Sequence, residues 1–430
     1  MPAGRGRAVT WAQRYRLGLA ARTSLVPWAV LALAAALAAA PAVRAVDAAT
    51  GWTVFDYSPD GARAVLGALV GSMLTFLVFV LSSVLIVVQL AAGQQTPRVI
   101  ALVFALPLVK VTLAAFTFTF TYSLAALSRV EDRVPDLFVG VAVLLNLACI
   151  VGFFVFVQRL SASLRPGTVM QLVARHGRGV IAQVYPAAYD PARPEGPTRA
   201  PLSAGPVGVV TYDGPAGSVL AFSAAGLARV ARAAGTVVEL VPQVGDFLAP
   251  GDPLLRVIGG APVDGAAVRG CVAVGTERTL DQDPRFVFRI LVDVANKALS
   301  PAINDPTTAV QALDQIASLL LHLGRRRLDE GVVRDAFGVV RVVYGTPDWP
   351  DFVTLAVSEI RHYGSGSIQV GRRLRALLEG LIRDLPSARH PPLVEELDLL
   401  GRSVERGFRD ETDRKRAGVG DQQGVGGSEA

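Results

Sequence analysis

The sequence predicts an α+β membrane protein. An N-terminal bundle of four transmembrane helices leads into a small cytoplasmic β module with a barrel-sandwich-like pattern, and then into an α-rich cytoplasmic domain. Three observations predict this. Long runs almost free of charge fill residues 24–158, short β-rich stretches between turn residues occupy 159–275, and apolar positions at helical spacing dominate 276–409. Of the 430 residues, 51% are hydrophobic and 18% charged, whereas an ordinary soluble domain carries roughly 25% charged residues. This excludes a disordered or fibrous chain and argues against a purely soluble enzyme. The net charge of +6 is almost all arginine, since lysine occurs only at Lys110, Lys297 and Lys415. So diffuse a charge is no nucleic-acid footprint, which needs a concentrated patch. Cys149 and Cys271 offer neither a disulfide framework nor metal-ligand spacing.

A spanning helix needs about 20 apolar residues. After a basic N-terminal segment, residues 1–23, four runs meet that length: Ser24 to Val43, Ala64 to Ala92, Val99 to Leu127, and Leu137 to Val157. The first is alanine-rich and follows several arginines, so a cleaved signal peptide is its rival reading. Either way the following loop lies outside. Arg5, Arg7, Arg14, Arg16 and Arg22 precede the first run, Arg98 follows the second, and Arg159 and Arg165 follow the fourth. The opposite loops carry Arg44, Arg63, Arg129 and Arg133 among Asp47, Asp56, Asp60, Glu131, Asp132 and Asp136. Basic residues favour the cytoplasmic side, so both termini are expected in the cytoplasm of a plasma-membrane protein. Trp52, Phe55 and Tyr57 then suit an outer aromatic belt.

Inside the membrane two features stand out. Gly67 and Gly71 are four apart, a spacing that lets helix backbones approach. Packing within the bundle is the expectation, with a homo-oligomer face as the sharper alternative. Lys110 is the only charge within a run and shares a helical stripe with Ala114, Thr117 and Thr121. Such a stripe fits a permeation path. It equally fits snorkelling or a bundle contact, because the run is overlong and Pro107 can start the true span.

Beyond residue 159, Val180 to Tyr185 carries a weak strand signal, and strands are expected at Gly208 to Tyr212, Val237 to Val241 and Leu254 to Ile258. The amphipathic stretch Ser223 to Ala234 interrupts them. Two Gly-Asp turns, Gly245-Asp246 and Gly251-Asp252, frame a hairpin like those of biotinyl or lipoyl carriers. No lysine lies between Lys110 and Lys297, so a swinging-arm role is excluded.

Asp283-Pro284 and Asp305-Pro306 each place a capping acceptor before a proline at the first helical position. They predict two helices joined by a tight Ser300-Pro301-Ala302-Ile303-Asn304 turn. Val287, Leu291, Val294 and Ala298 form one apolar face, and Ala309, Leu313, Ile316 and Leu320 the other. Asp281, Asp283, Asp293, Asp305 and Asp314 crowd this segment and invite a hydrolytic or cation-binding reading. Capping accounts for two of them, and Asp293 and Asp314 suit solvated helix surfaces. A strand at Val339 to Tyr344 and helices near Phe352 to His362, Ile368 to Arg383 and Leu393 to Phe408 complete the domain. Residues 410–430 lack apolar periodicity, which predicts a disordered tail. His176, His322, His362 and His390 stand singly, so no catalytic, cofactor or metal residues are assigned.

Together, Gln95-Thr96-Pro97-Arg98 after the second span, the Gly-Asp hairpin and the string Leu299-Ser300-Pro301-Ala302-Ile303-Asn304-Asp305-Pro306 resemble the bacterial predicted membrane protein family catalogued as domain of unknown function 2254. The resemblance runs from the first helix to about Leu400 and implies a plasma-membrane location, with no particular activity or cofactor. The expected role is a non-enzymatic, membrane-anchored binding or sensing protein whose certain partner is the bilayer. A channel or transporter subunit is the alternative and a membrane-tethered hydrolase the least supported. Asp283, Ser300, Pro301, Asn304, Asp305, Pro306 and Lys110 are the positions to locate.

Overall fold

A computed structural model describes residues 9–50, 57–94, 107–131, 134, 136–163, 165–193, 195, 205, 207–328 and 331–425. The loop bearing Gln95 to Arg98, the start of the third apolar run, Arg5, Arg7, Trp52 and Phe55 lie outside the described residues. The chain divides into two compact units, one of Leu19–Thr168 and a larger one of Met1–Gly18 with Val169–Ala430.

After α1 (Trp11–Thr23), the smaller unit is built from α2 (Val26–Thr50), α3 (Pro59–Gln94), α4 (Pro107–Leu127) and α5 (Asp136–Ser163). All four contain a stretch long and apolar enough to cross a membrane. α4 is central and packs against α2, α3 and α5. Alanines 36, 40 and 62 let the helices approach Tyr122 and Phe138, while Met73, Phe116 and Phe156 fill a second layer. Leu74, Val78, Leu144, Val151 and Phe154 point outward, the inverse of a water-soluble core. Gly67 and Gly71 lie on that outward face, with open space where a side chain would project. They therefore do not pack helices within the bundle as expected.

Within this unit Lys110 occupies the first turn of α4 and is buried. Its ammonium donates to the backbone carbonyl of Arg22, in the last turn of α1. A cation at a helix C-terminus satisfies an otherwise orphaned carbonyl and complements the dipole. Thr117 and Thr121, on the expected polar stripe, are half-buried, and the Thr121 hydroxyl bonds back to the Thr117 carbonyl (2.8 Å). The buried polar side chains of α4 are instead Thr112, Thr119 and Ser123. Ser123 receives the Asn146 amide of α5 at 3.1 Å.

The larger unit begins at α6 (Pro166–Val184), where the weak strand signal of Val180 to Tyr185 is overturned. Val169, Met170, Val173, Ala174, Gly177, Val180 and Ile181 recur at helical spacing and bury one face. A Cβ at Gly177 would lie 2.4 Å from Val287, so glycine sets this close approach.

Among the described residues eight short strands follow: β1 (Gly208–Thr211), β2 (Gly217–Phe222), β3 (Val237–Leu240), β4 (Phe247–Leu248), β5 (Pro253–Ile258), β6 (Val272–Gly275), β7 (Val332–Arg334) and β8 (Val340–Tyr344). Between them lie α7 (Ala224–Ala233), capped by Ser223, and α8 (Gly265–Arg269), capped by Asp264. One sheet has the order β1-β5-β3-β8-β7 and the other β4-β2-β6. Every pairing is antiparallel except β3 with β8, which aligns Leu240 with Tyr344. Val219, Leu227, Val238, Leu254, Val268 and Val342 form their shared core. The division expected at residue 275 is therefore crossed, because β7 and β8 extend a sheet begun by earlier strands.

The helical layer comprises α9 (Pro284–Ala298), α10 (Pro306–Gly324), α11 (Trp349–Tyr363), α12 (Ile368–Asp384) and α13 (His390–Gly407). α9 packs on α10 and α11, and α12 on α10 and α13, through the apolar faces the periodicity predicts. The tail departs from expectation. Asp410 caps α14 (Glu411–Ala417), and Ala417 and Asp421 are buried. Arg372 donates to the Val419 carbonyl (3.2 Å), and Asp421 accepts from the Gln423 and Gly424 amides (2.9 Å each). Caps and polar contacts order this segment without apolar periodicity.

Candidate functional site

The Asp-Pro segment builds structure before chemistry. Asp305 accepts from the Thr308 amide (3.0 Å) and hydroxyl (2.6 Å) at the start of α10. Ser300 donates to the Lys297 carbonyl (2.7 Å), and Asn304 adopts the left-handed region, φ 47°. Asn tolerates that conformation better than most residues. It turns the chain so that the Asp305 amide reaches the Ala298 carbonyl (2.7 Å). Pro301, Ala302, Ile303 and Asn304 are exposed, and Pro306 opens α10.

The five acids do not converge. Asp281 accepts from the Tyr15 hydroxyl (2.9 Å), Asp293 pairs with Arg289 (2.6 Å) and Asp314 with Arg373 (2.7 Å). Asp293 and Asp314, expected as solvated, are thus ion-paired. Of the singled-out residues, only Asp283 borders the cavity described below.

Asp283 is buried at the N-cap of α9. Its Oδ1 accepts from the Phe286 amide (3.0 Å), and its Oδ2 accepts from the Arg278 Nε (3.2 Å) and terminal nitrogen (2.9 Å). Burial pushes its carboxyl up, against the opposing pull of Arg278 and the Phe286 amide. Gly245, from the first Gly-Asp turn, seats this pair. Its φ is +93°, and a Cβ there would fall 1.8 Å from Arg278 and 2.6 Å from Asp283. Two features separated by over thirty residues thus meet in one place.

Beside them lies a cavity of about 180 Å³. It opens where the parallel strands β3 and β8 end, at Leu240 and Tyr344, and where α9 begins. Crevices at the carboxyl ends of parallel strands commonly receive ligands. Phe222 and Tyr344 form one wall, edge to face at 5.0 Å. Gln282 holds the Phe222 backbone through its amide, accepting from N (3.0 Å) and donating to O (3.3 Å). Arg285, in the first turn of α9, donates to Gln243 Oε1 at 2.9 Å. Gly345 leaves Gln243 its place, since a Cβ there would lie 2.9 Å from the amide nitrogen.

Tyr185 closes the inner end. It has no exposed surface, its ring packs edge-on to Phe352 at 6.3 Å, and its hydroxyl has no hydrogen-bond partner among the described residues. Burial, the first cause, pushes the phenol well above its usual range; Tyr344 and Asp283 push the same way and Arg285 opposes them. A buried hydroxyl left unpaired costs about 1–3 kcal/mol, so a group that enters the cavity and accepts from it gains that much.

A family model described as Predicted membrane protein (DUF2254) matches residues 22–380. The chain belongs to that family. Uncharacterized proteins of Mycobacterium bovis and Mycobacterium tuberculosis are each 30% identical to this DUF2254 chain over 376 residues, covering 84% of it and 71% of the relative. No solved structure matches it. Family and apolar helices together make it a predicted membrane protein. Sequence reasoning found Asp283 but missed Tyr185, Gln243, Arg285 and Tyr344. Each is an ordinary residue in its own stretch, and only the fold brings them to one cavity.

Proposed function

We propose that this DUF2254 protein is a multi-pass protein of the plasma membrane that binds or senses a small molecule and catalyses nothing. The carrying observation is the cavity into which Tyr185, Arg285 and Gln243 converge, with a buried hydroxyl awaiting a partner. Five acids each committed to a separate partner support a non-enzymatic role over hydrolysis. The arginine distribution supports both termini in the cytoplasm, and the two small sheets support a barrel-sandwich-like module there. The two Gly-Asp turns frame strands of different sheets, β4 and β5, and not the hairpin the sequence suggests. A transport role has less support, since Lys110 is engaged by a helix carbonyl.

The binding test is a thermal-shift screen of small metabolites on the full-length protein in detergent. A ligand at 100 times its Kd adds about 2.7 kcal/mol. Ala224→Phe, which fills the cavity, should abolish any such shift; a shift that survives places the ligand elsewhere. For orientation, a C-terminal alkaline phosphatase fusion should be inactive, and an active fusion overturns the topology.

A further inference from the structure

Resting on that reading, we infer that the cavity takes a small organic monoanion, a carboxylate held by Arg285 and the Tyr185 hydroxyl with its apolar body against Phe222 and Tyr344. The charge inventory carries the sign. Asp283 is neutralised by Arg278, with both its oxygens committed to Arg278 or the Phe286 amide. Asp351, which also acts on Tyr185, is exposed and accepts from the Asp348 amide in the α11 capping box. Arg285 makes one hydrogen bond, to a neutral amide oxygen, and forms no ion pair among the described residues. A guanidinium has five N–H donors in a fixed fork that matches a carboxylate. Counting the lining residues and the Arg278 paired with Asp283, the surplus is therefore one positive charge, and the first turn of α9 adds the positive end of a helix dipole.

The Tyr185 hydroxyl is the independent observation. It is fully buried and unpaired at the cavity wall, close enough to Arg285 for their charges to interact. A phenol held in its protonated form is a donor seeking an acceptor, which a second oxygen of the same carboxylate supplies. A phosphate dianion fits less well, because its second charge would find no second free cation among the described lining residues. Size sets the class further. An apolar cavity of about 150 Å³ holds benzene, so 180 Å³ admits a benzoate-sized molecule.

The probes are benzoate, neutral benzamide and cationic benzylammonium, titrated into the full-length protein in detergent by ligand-observed NMR. Wild type should bind benzoate about tenfold or more tightly than benzamide, since a charge-assisted contact is worth at least one decade. Arg285→Gln should erase that preference. Tyr185→Phe should weaken benzoate several-fold while leaving the melting temperature equal or higher, because it removes an unpaired buried hydroxyl. A merely structural Tyr185 would instead lower the melting temperature and leave the benzoate-to-benzamide ratio alone. If benzamide or benzylammonium binds as well as or better than benzoate in wild type, the charge assignment falls and the cavity reading stands. If none binds at tens of millimolar, the cavity reading itself falls.

Discussion

The smaller unit and the larger one use the same apolar residues in opposite directions. In α2 to α5, leucine, valine and phenylalanine cover the outside, while Lys110, Thr119, Ser123 and Asn146 are turned inward. In the larger unit Leu291, Leu313, Phe352 and Leu377 are inside, and charged side chains cover the surface. The reason is the solvent. Hydrocarbon gives no reward for hiding a leucine but penalises an exposed amide or ammonium. Water does the reverse. The two units thus follow one rule applied to two media, and the same kind of substitution should be costly in one and nearly neutral at the surface of the other.

The largest contrast is predicted for truncations. Leu291→Ala, at a position with no exposed surface, should cost about 2–5 kcal/mol. Leu144→Ala, on the outward face of α5, should stay within about 0.5 kcal/mol. Unfolding of the full-length protein in detergent checks both, and equal losses would contradict the inverted packing. Charge insertion should show the complementary pattern. Leu144→Arg should cost about 2.5–3.5 kcal/mol in membrane insertion if it lies near the bilayer centre. Val394→Arg, exposed on α13, should be nearly neutral in expression and melting temperature.

Smaller effects belong to the larger unit alone. Gly245→Ala forces a Cβ into a left-handed position already filled by Arg278, and should cost about 1–3 kcal/mol. A full retention of melting temperature would refute the close seating of the Arg278–Asp283 pair. Asp305→Ala removes the cap of α10 and should cost about 0.5–2 kcal/mol, with Asp305→Asn restoring most of it. Loss of benzoate binding without loss of stability would instead give that acid a direct role.

The smallest effect is a pH dependence at the surface. Arg289 holds Glu359 below its ordinary value of 4.5, with both carboxylate oxygens accepting at 2.6 Å. A depressed acid stabilises above its unfolded value, and that contribution is lost as pH falls through the folded one. Melting temperature should therefore drop below about pH 4.5 less steeply in Glu359→Gln than in wild type. Identical acid limbs would show that the pair contributes nothing, as many exposed pairs do.

Much of the architecture was legible because it depends on local rules. Four apolar runs matched the width of a bilayer. Asp283-Pro284 and Asp305-Pro306 announced two helix starts, since an acceptor followed by a residue without an N–H suits only that position. Legibility failed where local signals were weak or contrary. Val180 to Tyr185 is rich in β-branched residues, yet packing of the whole α6 face on its neighbours outweighed that preference. The segment after Asp410 lacks an apolar period, but Asp410 and Asp421 order it by accepting backbone amides.

Length, charge and caps along the chain were enough to establish four helices long and apolar enough to cross a membrane, the helix starts and the tight turn at Ser300 to Asn304. Those depend on neighbours in sequence and on a solvent that every residue meets alone. Tertiary structure decided the rest. The parallel pairing of β3 with β8 joins residues a hundred positions apart and aligns Tyr344 with Leu240, while Phe222 reaches Tyr344 from the other sheet. Tyr185 comes from the bend just after a helix, Gln243 from a loop and Arg285 from another helix's first turn. A binding cavity needs groups to converge from several directions, and convergence is a property of packing that no single stretch of chain carries.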